Sequence, residues 1–214
     1  MSASNASDIN SVIDPEVDAP SCDKPTHAPS HHPSPSPFLN DVWSIYFHDP
    51  NDVNWNYDSY TRLTDISSID EYWSIHKLLK PKLHCGMFFL MREYVFPCWD
   101  DENNRNGGCL SIKVLKQELA QVWEHLSIRL LGETILNSKH VLSKWSSVNG
   151  ISTSPKKHFC IVKIWLKAND LTARDDFELD IPSLHGEILY RSNQENIQHN
   201  NASQSQSQSV QAGT

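Results

Sequence analysis

Between residues 96 and 108 the chain reads Phe-Pro-Cys-Trp-Asp-Asp-Glu-Asn-Asn-Arg-Asn-Gly-Gly. An indole next to acceptor-only carboxylates, followed by a turn, suits one kind of chemistry. Trp99 presents a broad π face, and Asp100 presents two oxygens able to accept two parallel N–H donors. A planar ring that carries positive charge and a pair of N–H groups on one edge would satisfy both. Guanine has that edge at N1 and N2, and methylation at N7 makes its ring cationic. Trp55, in the polar run Asn54-Trp-Asn56, is a second indole whose setting favours exposure over a core position. Asp101 and Glu102 read as solvated turn residues.

The segments that must hold these side chains are separated from two polar ends. Residues 1–37 contain seven of the twelve prolines amid Ser, Asp, Asn and Ala, and residues 194–214 are dominated by Asn, Ser and Gln. Neither end can bury enough apolar surface to offset chain entropy, so both are expected to be disordered. The domain is expected over residues 38–193, where all seven tryptophans lie. A stretch of roughly 155 residues is long enough to fold alone.

The net charge of −8 divides as −4 on residues 1–37, −3 on 38–192 and −1 from Glu195. A mildly acidic domain argues against binding long duplex DNA through many phosphates. It leaves room for one nucleotide with a short phosphate chain, which needs only two or three well-placed cations. The five cysteines lack CxxC spacing, which fits a reducing compartment. With no charged-then-apolar leader and no apolar run of spanning length, neither secretion nor a membrane is expected. The expected localisation is cytoplasmic, with access to the nucleus left open. His31-His32 has no second pair at ligand spacing, so no metal is expected.

Alternation predicts strands over Asp41–His48, Tyr60–Ile66, Cys109–Leu115 and His185–Arg191, and a strand buried on both faces over Leu83–Glu93. Gly150–Lys156 and Phe159–Lys167 read as a hairpin around Lys157-His158. Pro155 lacks a ladder donor, so its strand is expected to lie at an edge or to break there. Ser68-Ile-Asp-Glu71 is a capping box that opens a helix to about Leu79. Lys116–Leu131 carries apolar residues at three- and four-residue spacing, and Gly132 is expected to stop it. Ile135–Asn149 reads as a loop or short helix. With no βαβ repeat evident, the class is α+β on an antiparallel sheet.

Several of these runs, in order, resemble the eukaryotic translation initiation factor 4E family. The loop from Trp99 to Gly108 is similar to its cap-binding loop. Ser36-Pro37-Phe38 with Trp43-Ser-Ile-Tyr46 resembles its first strand. Asp70-Glu71-Tyr72-Trp73 resembles its acidic helix, and Gly150 to Trp165 its hairpin ending in Ile-Trp. Trp123-Glu-His-Leu-Ser-Ile-Arg-Leu-Leu-Gly-Glu133, Asn-Arg-Asn-Gly-Gly and Tyr46 look most similar to the 4E-homologous-protein (class II) branch. The resemblance implies a curved antiparallel sheet with helices on its convex face and a slot for the 7-methylguanosine cap on its concave face.

Carried over residue by residue, it implies that Trp55 and Trp99 sandwich the base, that Asp100 pairs with its edge, and that Trp165 touches its methyl group. Asp100 is one methylene shorter than the family's Glu. Lys156 and His158 are the implied phosphate ligands, and Lys163, which strand alternation puts on the same face as Ile161 and Trp165, is the candidate substitute for the family's next Lys. The family's basic residue after Gly-Gly is Cys109 here, and another basic position is Ile161. Positive charge around the phosphates is therefore thin, and weaker cap affinity than in the family's stronger members is expected. His158 contributes charge only when protonated. On the convex side, Pro37, Ile69, Trp73, Ile128, Leu131 and Glu133 match the docking site for a partner's Tyr-x-x-x-x-Leu-apolar helix, carried by a scaffold factor 4G or a 4E-binding repressor.

Two functions follow. One is a cap-binding regulator of translation, recruiting a scaffold or repressing. The other is an adaptor of the same fold that has lost the cap, favoured by Asp100, Cys109, His158 and Ile161. No cofactor is expected beyond the cap ligand. An enzyme is not expected, because the sequence has no nucleophile–base set and no glycine loop for phosphate.

Overall fold

The computed structural model describes residues 37–198, apart from 182, 183, 185 and 186. Seven strands run β1 (Phe38–His48), β2 (Tyr60–Ser68), β3 (Met87–Arg92), β4 (Gly108–Leu115), β5 (Val148–Pro155), β6 (Phe159–Leu166) and β7 (Ile188–Ser192). They form one curved sheet in the order β2-β1-β3-β5-β6-β4-β7, every pairing antiparallel. The helices are α1 (Ile69–Leu79), α2 (Leu119–Leu131) and α3 (Ser138–Lys144). The class is α+β, as expected. His31-His32 and most of both expected tails lie outside the described residues.

Side-chain alternation sorts each strand between two cores. In β6, Cys160, Val162 and Ile164 join the large cluster under α1 and α2. Trp165 joins a smaller cluster on the opposite, concave face with Tyr46, Phe89, Met91 and Cys109. β3 feeds both, with Phe88 and Leu90 on the helical side and Phe89 and Met91 on the other. That double burial is why it reads as an apolar run.

The order of strands has one large consequence for the loop after β3. β4 pairs with β6 and β7, not with β3, so the connection carrying Trp99 must cross the ends of β5 and β6. A simple hairpin would have left that loop at an edge.

The helix ends are set by side-chain and backbone caps. Ser68 and Glu71 make the reciprocal capping box of α1, satisfying backbone donors that the first turn cannot pair. α2 starts at Leu119, three residues later than expected, and ends at Leu131, as expected. Gly132 has φ −86°, and it is Glu133, at φ 56°, that adopts the left-handed turn. Glu133 N donates to Leu130 O at 3.1 Å and Thr134 N to Arg129 O at 2.8 Å, the Schellman pairing. Asn40 Nδ2 donates to the Glu133 carboxylate at 2.8 Å, which helps hold a conformation that costs a non-glycine residue about 1 kcal/mol.

Pro155 ends β5, but β5 itself is central, not an edge. Pairing with β3 has stopped at Thr153, so at Pro155 only β6 remains as a neighbour and no ladder bond is lost. The expected boundary at 193/194 also shifts. Residues 193–198 are helical, and Asn193 and Asn196 are buried.

One buried cation braces the large core. Arg92 lies between Trp43 and Trp145, its guanidinium carbon 5.0 and 4.8 Å from their ring centroids. It donates to Val148 O at 2.7 Å and Trp145 O at 3.2 Å, and pairs with Asp41.

Candidate functional site

On the concave face, a cavity of about 100 Å³ is lined by Trp55, Trp99, Trp165, Tyr60, Phe89 and Lys163, with Met87, Pro97, Cys98, Ser152 and Ser154 completing the wall. Three of the predicted indoles therefore converge. They arrive from the loop after β1, from the crossing loop and from β6.

The crossing loop is held from beneath. Phe96 packs on Tyr57, Tyr60 and Tyr46, with ring centroids 4.4, 5.0 and 5.6 Å away. Asn104, fully buried, donates from Nδ2 to Phe96 O and Cys98 O, both at 2.8 Å. Asn149 Nδ2 donates to Asn104 Oδ1, and Asn193 Nδ2 to Asn104 O, again at 2.8 Å. Three asparagines from three segments thus fix the backbone on either side of Pro97. Gly107 is required by the same packing, since a Cβ there would come within 1.8 Å of Leu166 O. Asn104→Ala removes three buried hydrogen bonds, two to the Phe96 and Cys98 carbonyls and one from the Asn149 amide, each worth about 0.5–1.5 kcal/mol. We expect lower stability in urea and faster amide exchange at residues 96–99. Unchanged exchange there would rule out this anchoring role.

Trp55 is 45% exposed and lies flat on His48, with centroids 4.2 Å apart and planes at 4°. His48 Nε2 donates to the Asn54 carbonyl at 2.9 Å, tying the loop to β1. Trp99 is half-buried and already carries a cation: Lys163 Nζ sits 5.1 Å from its ring centroid. Burial holds the Lys163 ammonium below its usual proton affinity, and Lys156 and Arg191 add to that. Trp165 is buried, and its indole N–H is spent on Ser152 Oγ at 2.8 Å.

The other expected ligands are not brought to the wall. Asp100 is exposed and is not among the lining residues; it interacts with the Cys98 thiol, which burial and this carboxylate push to about 11. Lys156 and His158 are exposed in the turn between β5 and β6, off the cavity, because the hairpin carries that turn past the slot. Lys163 is there, but on Trp99, not at a separate phosphate position. Tyr60, Phe89, Ser152 and Cys98 were not anticipated. Alternation places Phe89 and Ser152 on the right face, but only the sheet order makes them neighbours.

On the helical face, Ile128 is 45% exposed and Pro37 is exposed, while Ile69 and Trp73 are half-buried. Trp73 packs edge-on against Tyr72 and His76 with centroids 5.1 and 5.6 Å away. Pro37 O accepts from Ile69 N at 3.3 Å, and Glu133 meets Asn40 of β1. Leu131 departs from expectation. It is 6% exposed and part of the large core, because it follows Leu130 onto the sheet-facing side of α2. Among the described residues, no group of three or more His, Cys, Asp or Glu could hold a metal ion.

Comparison with known proteins agrees with this architecture. Initiation factor 4E of Candida albicans is 27% identical over 143 residues, covering 62% of this chain and 65% of that protein. The 4E homolog of Acanthamoeba polyphaga mimivirus is 27% identical over 150 residues, covering 60% and 54%. The chain thus spans between about half and two thirds of these relatives' length. Among solved structures, a complex of C. elegans eIF4E-3 with the 4E-binding protein Mextli superposes with a TM-score of 0.58 at 19% identity, covering 74% of this chain and 94% of that one. Ascaris suum eIF4E-3 with the m7G cap gives 0.53 at 19% identity, covering 63% and 76%. Residues 38–213 match the family model of Eukaryotic initiation factor 4E. That match spans every strand and helix described above, and the chain belongs to the eukaryotic initiation factor 4E family.

Proposed function

We propose that this protein binds the 7-methylguanosine cap of mRNA in the tryptophan-lined cavity and regulates translation initiation through a partner on its helical face. The observation that carries the reading is Lys163 over Trp99 in a cavity that Trp55 and Trp165 also line. An indole that holds an ammonium offers the same face to a cationic base. The Ascaris suum structure holds an m7G cap, and a schistosome relative, also 19% identical, holds m7GpppG and a 4E-BP, which supports both halves of the proposal.

Entry of the base requires two movements. Lys163 leaves the face of Trp99, and Trp55 swings off His48 to close the other side. Asp100 then turns from Cys98 to accept N1–H and N2–H. Lys163, displaced by a cationic ring, is left to meet the phosphates. The test is quenching of tryptophan fluorescence by 7-methyl-GTP with GTP as control. Saturable quenching by the methylated nucleotide alone is expected, and none by either in folded protein overturns the reading.

On the other face, Trp73, Ile69, Ile128 and Pro37 form the docking surface, and Glu133 lies beside it. The expected occupant is a helix with a Tyr-x-x-x-x-Leu-apolar pattern, from a scaffold of the 4G type or a 4E-binding repressor. The complexes of relatives with Mextli and 4E-BP support this class of partner. Trp73→Ala should weaken capture of such a peptide by about 2 kcal/mol or more, with 7-methyl-GTP quenching unchanged. Loss of both would mean unfolding.

A second reading, an adaptor without the cap, is favoured by Asp100 standing off the wall. The Trp123–Glu133 run supports placement in the 4E-homologous-protein branch and hence repression. Tethering the protein to a reporter mRNA separates the roles: lower translation fits a repressor, and higher translation a recruiter.

A further inference from the structure

We propose that Arg191, on the last strand, grips the phosphate chain of the bound nucleotide together with Lys163 and Lys156. The proposal rests on the cap reading and names the side chain that replaces the charge missing at Cys109.

Strand register places Arg191 directly opposite Cys109 on β4, and Cys109 directly opposite Trp165 on β6. Residues paired in this way point to the same face. Trp165 lines the cavity, so Arg191 stands in the same cross-strand row as the slot's inner wall. In that row the Cys109 side chain, 1% exposed and touching Asn193 Oδ1 through its thiol at 3.5 Å, stands between them. Burial pushes that thiol to about 12, so it is neutral at pH 7 and carries no charge of its own.

The next row carries Leu189, Ser111 and Lys163. Lys163 therefore lies diagonal to Arg191 across β4, and Lys156 stands in the turn between β5 and β6, at the other end of β6 from Trp165. Both cations act on Lys163 and make its ammonium less favourable. Like charge from Arg191 and Lys156 thus bears on the Lys163 ammonium, and an anion placed among them would relieve that repulsion. Arg191 is exposed, and it makes no ion pair among the described residues. The carboxylate of nearby Glu195 is engaged by the Ser192 N–H at 3.2 Å. A free guanidinium with its planar fork is well shaped to bind phosphate oxygens bidentately.

The proposal requires a base held between Trp55 and Trp99 to send its phosphates past Lys163 and Trp165, over β4 and toward β7. The thin charge expected from Cys109, His158 and Ile161 is made up on a strand that none of those residues belongs to.

The experiment titrates full-length wild type, Arg191→Gln and Arg191→Lys with 7-methyl-GMP, -GDP and -GTP, reading tryptophan quenching, with melting temperature as a control for folding. In wild type, affinity should rise with each phosphate. Arg191→Gln should lose about ten-fold with the triphosphate and little with the monophosphate, and Arg191→Lys should recover part of the loss. Equal losses across the three nucleotides, or none, overturn the proposal while leaving the cap reading intact. A folded wild-type protein that binds none of them overturns both.

Discussion

Trp99→Leu should lower the affinity for 7-methyl-GTP by roughly ten- to a hundred-fold and leave the protein folded. An aromatic–base stack contributes about 1–3 kcal/mol, and a decade of affinity is about 1.4 kcal/mol. Two features make this loss separable from stability. The backbone around Trp99 is held through the Asn104 amide and the Phe96 ring, neither of which the substitution touches. The indole itself is half-buried and packs only against the edge of the concave cluster. Lys163 loses its resting place over the ring, so the free protein should change little in urea while the bound one loses a face of its sandwich. Titration with 7-methyl-GTP and urea unfolding of the same variant test this. An affinity within two-fold of wild type would exclude Trp99 as a stacking residue.

Arg92→Ala should have the largest effect on stability, about 3–5 kcal/mol. The guanidinium is almost fully buried, so its charge is tolerated only because the Asp41 carboxylate, two backbone carbonyls and two indole faces surround it. Removing it takes a donor from Val148 O and one of two from Trp145 O, which keeps the Val148 N–H, and opens a gap between Trp43 and Trp145. Arg92→Met should restore part of the loss, since an unbranched apolar chain fills the gap though it replaces none of the hydrogen bonds to Asp41, Val148 O and Trp145 O. Arg92 alternates with Phe89 and Met91, so it faces the helices and not the slot. Cap affinity per folded molecule should stay the same. A loss below about 1 kcal/mol in urea would show that the pairs around Arg92 contribute little.

Much of the architecture was legible because it is local. The Ser68–Glu71 capping box, the apolar spacing of α2 and the alternation of β6 each depend on residues a few positions apart. Strand parity correctly placed Lys163, Ile161 and Trp165 on one face. The convergence of Trp55, Trp99 and Trp165 followed from the resemblance of spaced motifs, not from periodicity. Where local reading failed, the competing force can be named. Gly132 caps α2 as expected, and only the left-handed residue of its Schellman pairing, Glu133 rather than a glycine, was not foreseen. Leu131 was given to the docking surface, and packing against the sheet buries it.

The sequence by itself therefore determined the elements, their faces and the aromatic character of the site. The tertiary structure decided which rows of side chains meet. Alternation says which face a residue takes and nothing about which strand lies next to it. Because β4 pairs with β6 and β7, the Trp99 loop crosses the end of the sheet and Cys109 gains Arg191 as its neighbour. The same long-range order brings Asn104, Asn149 and Asn193 together and places Arg92 between two tryptophans. Such contacts join residues far apart in the chain, and they are held by burial and hydrogen bonding that no short window of sequence contains.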